Sequence, residues 1–238
     1  MRTLDGEYMY SSDCGGHTVS VEVDLVFIAR VRNSVQSTAY DELSQYGIYK
    51  MTSDGSITTL LTLDLHEFSG VCIHSSHING DLLIGLNDHP WNFDGRVMRC
   101  DGTGRKIGDI KLGEEGQRLY KYPRHITENK MNGDIVVSDV LKGALVVVDR
   151  SGRHRFDYIG HDKPFYPGGV CTDLLGRILV IHSDNDTKCI SLLDHDGRYL
   201  TRLLTEPPHR YGIPLRSLCV DEKNNIYVVY ENKIKVFR

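Results

Sequence analysis

Short apolar runs recur along the chain, each bounded by Gly, Asn or Asp. Five of them are nearly continuous: Asp24-Leu25-Val26-Phe27-Ile28, Asp81-Leu82-Leu83-Ile84, Asp134-Ile135-Val136-Val137, Arg177-Ile178-Leu179-Val180 and Asn225-Ile226-Tyr227-Val228-Val229. Apolar runs of this length between turn residues read as strands covered on both faces. Each is followed by a further strand and then, in four units, a Gly turn: Asp54-Gly55, Gly102-Thr103-Gly104, Arg150-Ser151-Gly152 and His195-Asp196-Gly197. Gly55, Gly104, Gly152 and Gly197 lie 49, 48 and 45 residues apart. A period in the forties with four strands per unit predicts an all-β fold, a β-propeller of four-stranded blades with five repeats visible. No long 3.6-residue stripe is present, so helix content is expected to be very low.

Labelled a to d from the axis outward, the strands of unit one are expected at 17–23, 24–30, 46–53 and 57–63. Unit two runs 70–73, 81–86, 96–100 and 105–112, and unit three runs 124–127, 134–139, 144–149 and 153–159. Unit four runs 169–173, 177–182, 189–194 and 199–204. Unit five runs 217–221, 225–230 and 233–237 and lacks an outer strand. The domain reading is an N-terminal segment, 1–15, before a propeller over 16–238. Thr3–Ser12 is the candidate ring-closing strand, and 33–45 is a polar insertion in the first b–c loop.

Composition narrows the function classes. The chain has 238 residues, is 25% charged and carries a formal net charge of −4, which gives no global attraction to nucleic acid or anionic membrane. No apolar run reaches the roughly 20 residues of a membrane helix. The first 16 residues lack a signal-peptide core, so a cytoplasmic location is expected. None of the six cysteines forms a C-x-x-C pair, which argues against a zinc finger or RING. Cys72, Cys171 and Cys219 read as one column of the repeat, with Ile126 in the remaining unit, and hence as small buried hydrophobes. The sequon Asn185-Asp186-Thr187 is expected to be silent.

Four segments resemble the NHL-repeat propeller of tripartite-motif proteins, most closely the molluscan set. They are Tyr122-Pro123-Arg124-His125-Ile126-Thr127-Glu128-Asn129, Gly133-Asp134-Ile135-Val136-Val137-Ser138-Asp139, Val146-Val147-Val148-Asp149-Arg150-Ser151-Gly152 and Arg155-Phe156-Asp157-Tyr158-Ile159-Gly160-His161. Gly168–Asp173 with Gly176–Leu179, and Leu218–Asp221 with Asn225–Val228, carry the same wording. The likeness covers about residues 66–238. The namesake Asn-His-Leu turn is missing, since unit four has Asn185-Asp186-Thr187-Lys188 and unit five Glu231-Asn232-Lys233-Ile234. The family ring has six blades against five repeats here, which implies a lost or truncated first blade or a five-bladed ring. The family's RING, B-boxes and coiled coil have no counterpart in these residues, so ligase catalysis is not carried over. The resemblance implies the recognition end of such a protein, selecting a protein partner or ubiquitylation substrate, or in some members an RNA.

The a–b and c–d turns are short and uniform, whereas the d–a and b–c connections are longer and richer in aromatics, Arg and Pro. Loops of the second kind carry function more often, and such residues are typical interface anchors. The candidate partner-binding residues are Trp91, Phe93, Arg118, Lys121, Tyr122, Arg124, Lys142, Phe165, Tyr166, His209, Arg210 and Tyr211. The plainer alternative is that the aromatics pack over the next blade and the cations are solvated or bonded to carbonyls. A protein-binding module is the leading reading. RNA binding is the alternative, but the formal charge of the loop face is slightly negative, whereas an RNA platform is basic. A metal-dependent propeller enzyme is the third reading, with axial candidates His74, His125, Glu128, Asn129 and Asp173. His74 and His77 have no carboxylate at a useful local spacing, and no Ser-His-Asp set or phosphate loop is visible, so neither a catalytic set nor a cofactor is assigned. Neither DNA nor membrane is an expected partner.

If Thr3–Ser12 closes the ring beside unit five, deleting residues 1–12 lowers hydrogen-exchange protection first at Lys233–Phe237. Unchanged protection there removes that role.

Overall fold

The computed structural model describes residues 17–20, 22–31, 45–64, 71–87, 94–161, 164–184, 187–206, 215–230 and 233–237. They form 19 strands in five antiparallel sheets, with no helix among the described residues. Blade 1 contains β1 (His17–Val19), β2 (Leu25–Val31), β3 (Gln45–Met51) and β4 (Ile57–Asp64). Blade 2 contains β5 (Val71–Ser75), β6 (Leu82–Asn87), β7 (Gly95–Cys100) and β8 (Lys106–Ile110). Blade 3 contains β9 (Pro123–Glu128), β10 (Ile135–Asp139), β11 (Ala144–Val148) and β12 (His154–Tyr158). Blade 4 contains β13 (Tyr166–Thr172), β14 (Ile178–Asp184), β15 (Thr187–Leu193) and β16 (Tyr199–Glu206). Blade 5 contains β17 (Leu215–Val220), β18 (Ile226–Tyr230) and β19 (Lys233–Phe237).

Within each sheet the strands are neighbours in chain order, giving four four-stranded meanders and one of three strands. This is a five-bladed propeller, one blade for each visible repeat, and the sixth blade of the resembling family has no counterpart among the described residues. Inner strands β1, β5, β9, β13 and β17 follow one another around the axis and line a cavity of about 380 Å³. Thr3–Ser12, the sequon at 185–187 and most of the 33–45 insertion fall wholly or partly outside the described residues.

The core is divided among the seams between blades. Ile48, Leu63, Leu82 and Ile84 join blades 1 and 2, and Leu83, Val97, Ile135 and Val146 join blades 2 and 3. Val136, Leu145, Phe165 and Val180 join blades 3 and 4, and Leu179, Ile190, Leu218 and Val228 join blades 4 and 5. Middle strands therefore have two covered faces, and every residue of β6, β10 and β11 is buried. Outer β12 alternates between half-buried and exposed. All of β19 is exposed, and among the described residues no buried cluster joins blade 5 to blade 1.

Cys72, Cys171, Cys219 and Ile126 do not share one column of the repeat. Cys171 and Cys219 pair with Leu179 and Tyr227, each the second residue of its middle strand. Cys72 pairs with Gly85, the fourth residue of β6, and Ile126 with Val137, the third of β10. The two-residue offset keeps Cys72 on the same strand face, so similar wording hides the slip. Cys72, Cys100, Cys171 and Cys189 are buried thiols, but Cys219 is exposed at the wall of the axial cavity.

The turns explain the Gly punctuation. Asp101 Oδ1 accepts the backbone N–H groups of Thr103 and Arg105, both at 3.0 Å, and Asp149 Oδ1 does the same for Ser151 (2.8 Å) and Arg153 (3.0 Å). The Thr103 hydroxyl and these amides hold the Asp101 carboxyl at about 2. The chain then reverses through Gly55, Gly104, Gly152 and Gly197 at φ of 83°, 88°, 89° and 79°. A Cβ on Gly104 would lie 2.3 Å from the Leu60 carbonyl oxygen of blade 1, whereas one on Gly55 would meet nothing within 4 Å. Gly55→Ala is therefore expected to cost about 1 kcal/mol from backbone conformation alone. Gly104→Ala adds a seam clash and should cost about 3 kcal/mol. Equal losses in chemical denaturation would refute the seam contact.

Candidate functional site

The d–a and b–c loops of blade 3 are tied together by one buried carboxylate. Asp139, at the end of β10, is 0% exposed. Its Oδ2 accepts the backbone N–H of Lys121 (2.6 Å), both oxygens accept the N–H of Tyr122 (3.0 Å), and Oδ1 accepts the N–H of Lys142 (2.9 Å). Burial raises its pKa, and these amide bonds offset part of the rise. Lys142 Nζ donates to the Leu119 carbonyl (2.7 Å) and pairs with Asp157 (2.8 Å). The effect is a d–a loop and a b–c loop with fixed backbones side by side.

The candidate residues fare differently. Lys121 and Tyr166 are exposed, Tyr166 at 54%, and Tyr122 and Arg124 are half-buried. Arg118 is exposed but ion-paired with Asp94, which also holds Lys111 at 3.0 Å. Lys142 is committed to the clamp. Phe165 is 4% exposed, meeting the Tyr158 ring edge-on at 5.3 Å and the His182 ring at 5.0 Å. It seals the seam between blades 3 and 4, as the plainer alternative has it. Trp91, Phe93, His209, Arg210 and Tyr211 lie outside the described residues.

The axial cavity holds a second constellation, at the opposite, a–b end. His74 and His125 line it, each with its pKa lowered to about 4, by burial first and then by neighbouring positive charge. Asn129 donates from Nδ2 to the Gly176 carbonyl (2.8 Å), and Asp173 accepts the N–H of Leu175 and Arg177 and pairs with Arg177 Nε at 2.6 Å. Those two residues of the axial set build turns and the seam. Glu128 instead meets His77 Nδ1 at 2.9 Å and accepts from the Ser76 hydroxyl (3.0 and 2.9 Å) and the His77 N–H (3.1 Å). His74, His77 and Glu128 each offer a metal-ligand atom within 4.8 Å of the other two. The sequence spacing of His74 and His77 does lack a carboxylate, but the fold supplies one from the next blade, 51 residues from His77. Glu128 stands among the axial candidates of the sequence, but its anchoring contacts, like those of Asp139, come from a different element and leave no local spacing signal.

No protein-family model matches the chain, and no curated protein matches it in sequence. Solved structures share its fold. A nidogen/laminin complex aligns with a TM-score of 0.62 at 15% identity, over 93% of this chain and 74% of that one. A catalytically inactive virginiamycin B lyase from Staphylococcus aureus with quinupristin aligns at 0.57 and 13%, over 96% and 86%. A protein of unknown function from Dyadobacter fermentans aligns at 0.61 and 16%, over 94% and 78%. At such identities the likeness is one of fold alone.

The clamp has a measurable signature. Asp139→Ala leaves three amides without their acceptor and should lower stability by about 3 kcal/mol. Exchange of the Lys121, Tyr122 and Lys142 amides should accelerate more than that of β10; uniform change along blade 3 would refute a local clamp.

Proposed function

We propose that the chain is a non-catalytic recognition propeller that binds a protein partner through the d–a/b–c loop face. The observation that carries this reading is the Asp139 clamp, which fixes two loop backbones beside each other while leaving Lys121 exposed. A surface held in place before binding pays less ordering entropy on association. Tyr166, exposed at the start of β13, offers a rigid aromatic anchor on the same face. The resemblance to the recognition propeller of tripartite-motif proteins supports the same role, with selection of a ubiquitylation substrate as its specific form. A propeller neighbour solved in a nidogen/laminin complex is consistent with protein recognition.

The ion pairs disfavour the RNA alternative. Arg118 and Lys111 are paired with Asp94 and Lys142 with Asp157, which spends these cations within the protein. Phosphate recognition needs cations free to displace counterions.

Crosslinking and affinity capture with the wild type and a Lys121→Glu/Tyr166→Ala variant test the proposal. A protein captured stoichiometrically by the wild type should fall at least about tenfold with the variant at an unchanged melting temperature, as expected for removal of a hot spot. Identical capture by both proteins overturns the assigned face. Retention of RNA that falls steeply with salt replaces the protein reading with the RNA one.

A further inference from the structure

We propose that His74, His77 and Glu128 form a binding site for a divalent transition-metal ion of the zinc class, with a coordination position left open to the axial cavity. The site lies at the a–b end of the ring, away from the loop face, and its failure would leave the recognition reading untouched.

The repeat itself supplies the first argument. Glu128 pairs with Ile135, the first residue of its middle strand. The residues at the same register in the other blades are Val19, Ser75, Thr172 and Val220, paired with Leu25, Leu82, Ile178 and Ile226. Four of the five blades thus close this ring of positions with neutral side chains, so the architecture does not require a carboxylate there. Glu128 is nevertheless 2% exposed, and beside the Ser76 hydroxyl and His77 that already meet it, a cation would further offset the cost of burying its charge. His74 departs from its register in the same way. Its counterparts, each opposite the second residue of a middle strand, are Thr18, Thr127, Cys171 and Cys219. The two departures face each other across one seam.

The second argument is an unsatisfied atom. His74 Nε2 is buried without a hydrogen-bond partner, a rare state for a polar group in a folded protein. A metal bond would satisfy it.

The third is geometry. The three ligand atoms lie within 4.8 Å of one another. A tetrahedral ion with bonds of about 2.0–2.2 Å spaces its ligand atoms about 3.4 Å apart, so closure takes shifts of about 1 Å. His77 has room for that movement, with its side chain 40% exposed. The Glu128 carboxylate is already oriented, because the Ser76 hydroxyl and the His77 amide donate to it, in the manner of outer-shell partners that fix metal ligands. Two imidazoles and one carboxylate suit zinc or a neighbouring first-row ion; magnesium and calcium prefer all-oxygen sets. Three protein ligands leave a position for water or a small ligand, and the approach to it is the axial cavity that all three residues line. Lys130 lines the same cavity and repels a cation, so the ion must be held by its direct bonds and not by the surrounding field.

The test uses tag-free full chain, stripped with chelator, dialysed, and titrated with Zn²⁺ by calorimetry and with Co²⁺ by visible absorption. One ion per chain is expected, with the intense Co²⁺ absorption of a four- or five-coordinate site. His74→Ala, His77→Ala and Glu128→Gln should each weaken binding by at least about 100-fold, as loss of one of three protein ligands demands. His154→Ala, which removes an imidazole paired with Asp157 on outer strand β12, should leave binding unchanged. Circular dichroism accompanies every variant. His77→Ala, at the exposed rim, carries the test if Glu128→Gln does not fold. Absence of a stoichiometric ion in folded wild-type protein overturns the site, and so does wild-type affinity in folded His77→Ala.

Discussion

A small twisted sheet has two apolar faces and no interior of its own, so each blade is stable only where a neighbour covers it. That constraint organises the protein. It places Leu83 and Ile135 in one shared layer and Val136 and Ile178 in the next, and it makes β10 and β11 buried throughout. Polar ties reinforce the seams near the axis. The Ser75 N–H donates to Thr18 Oγ1, the Thr172 hydroxyl to the Glu128 carbonyl, and the Leu174 N–H to Asn224 Oδ1. Farther out, Arg155 bridges Asp134 of its own blade and Asp196 of the next. Each tie spans about one repeat in sequence, so register within a blade and stacking between blades are set together.

The parts of the fold legible in the sequence are those fixed by neighbours along the chain. Middle strands announce themselves because coverage on both faces demands unbroken apolar runs. The c–d turns do so because an Asp that accepts two nearby amides is followed by a glycine with positive φ. The illegible parts depend on residues about a blade apart. Phe165 sits among loop residues that look like an interface, yet the seam takes it. Asp139 reads as the end of an apolar strand, and only the folded chain shows three amides converging on it. His74 and His77 lack a local carboxylate, and Glu128 reaches them from the following inner strand. The Cys72 register fails for a related reason: similar tripeptides two residues apart on one strand face cannot be told apart without the ladder.

Carboxylates do two different jobs in this ring, and their environment decides which. In the turns, partial burial pushes Asp149 up, but donors within four residues outweigh it there and act on Asp101 too, holding both at about 2. At the seams and loops, Asp139 and Glu128 are buried and collect donors from separate elements. The first kind sets local chain reversal. The second kind fixes the relative position of parts of the chain that are distant in sequence, and for that reason marks both constellations of interest.

Among the described residues, β19 bonds to a single neighbour, β18, and leaves a row of backbone donors and acceptors on its other side. Such a row is a template for adding a strand from another molecule. Its sequence, Lys233-Ile234-Lys235-Val236-Phe237, places two ammonium groups on one face. Parallel in-register addition of copies would stack lysine upon lysine at the inter-strand spacing of about 4.8 Å. Charged side chains on an edge strand disfavour edge-to-edge pairing, and that repulsion weakens as ionic strength rises.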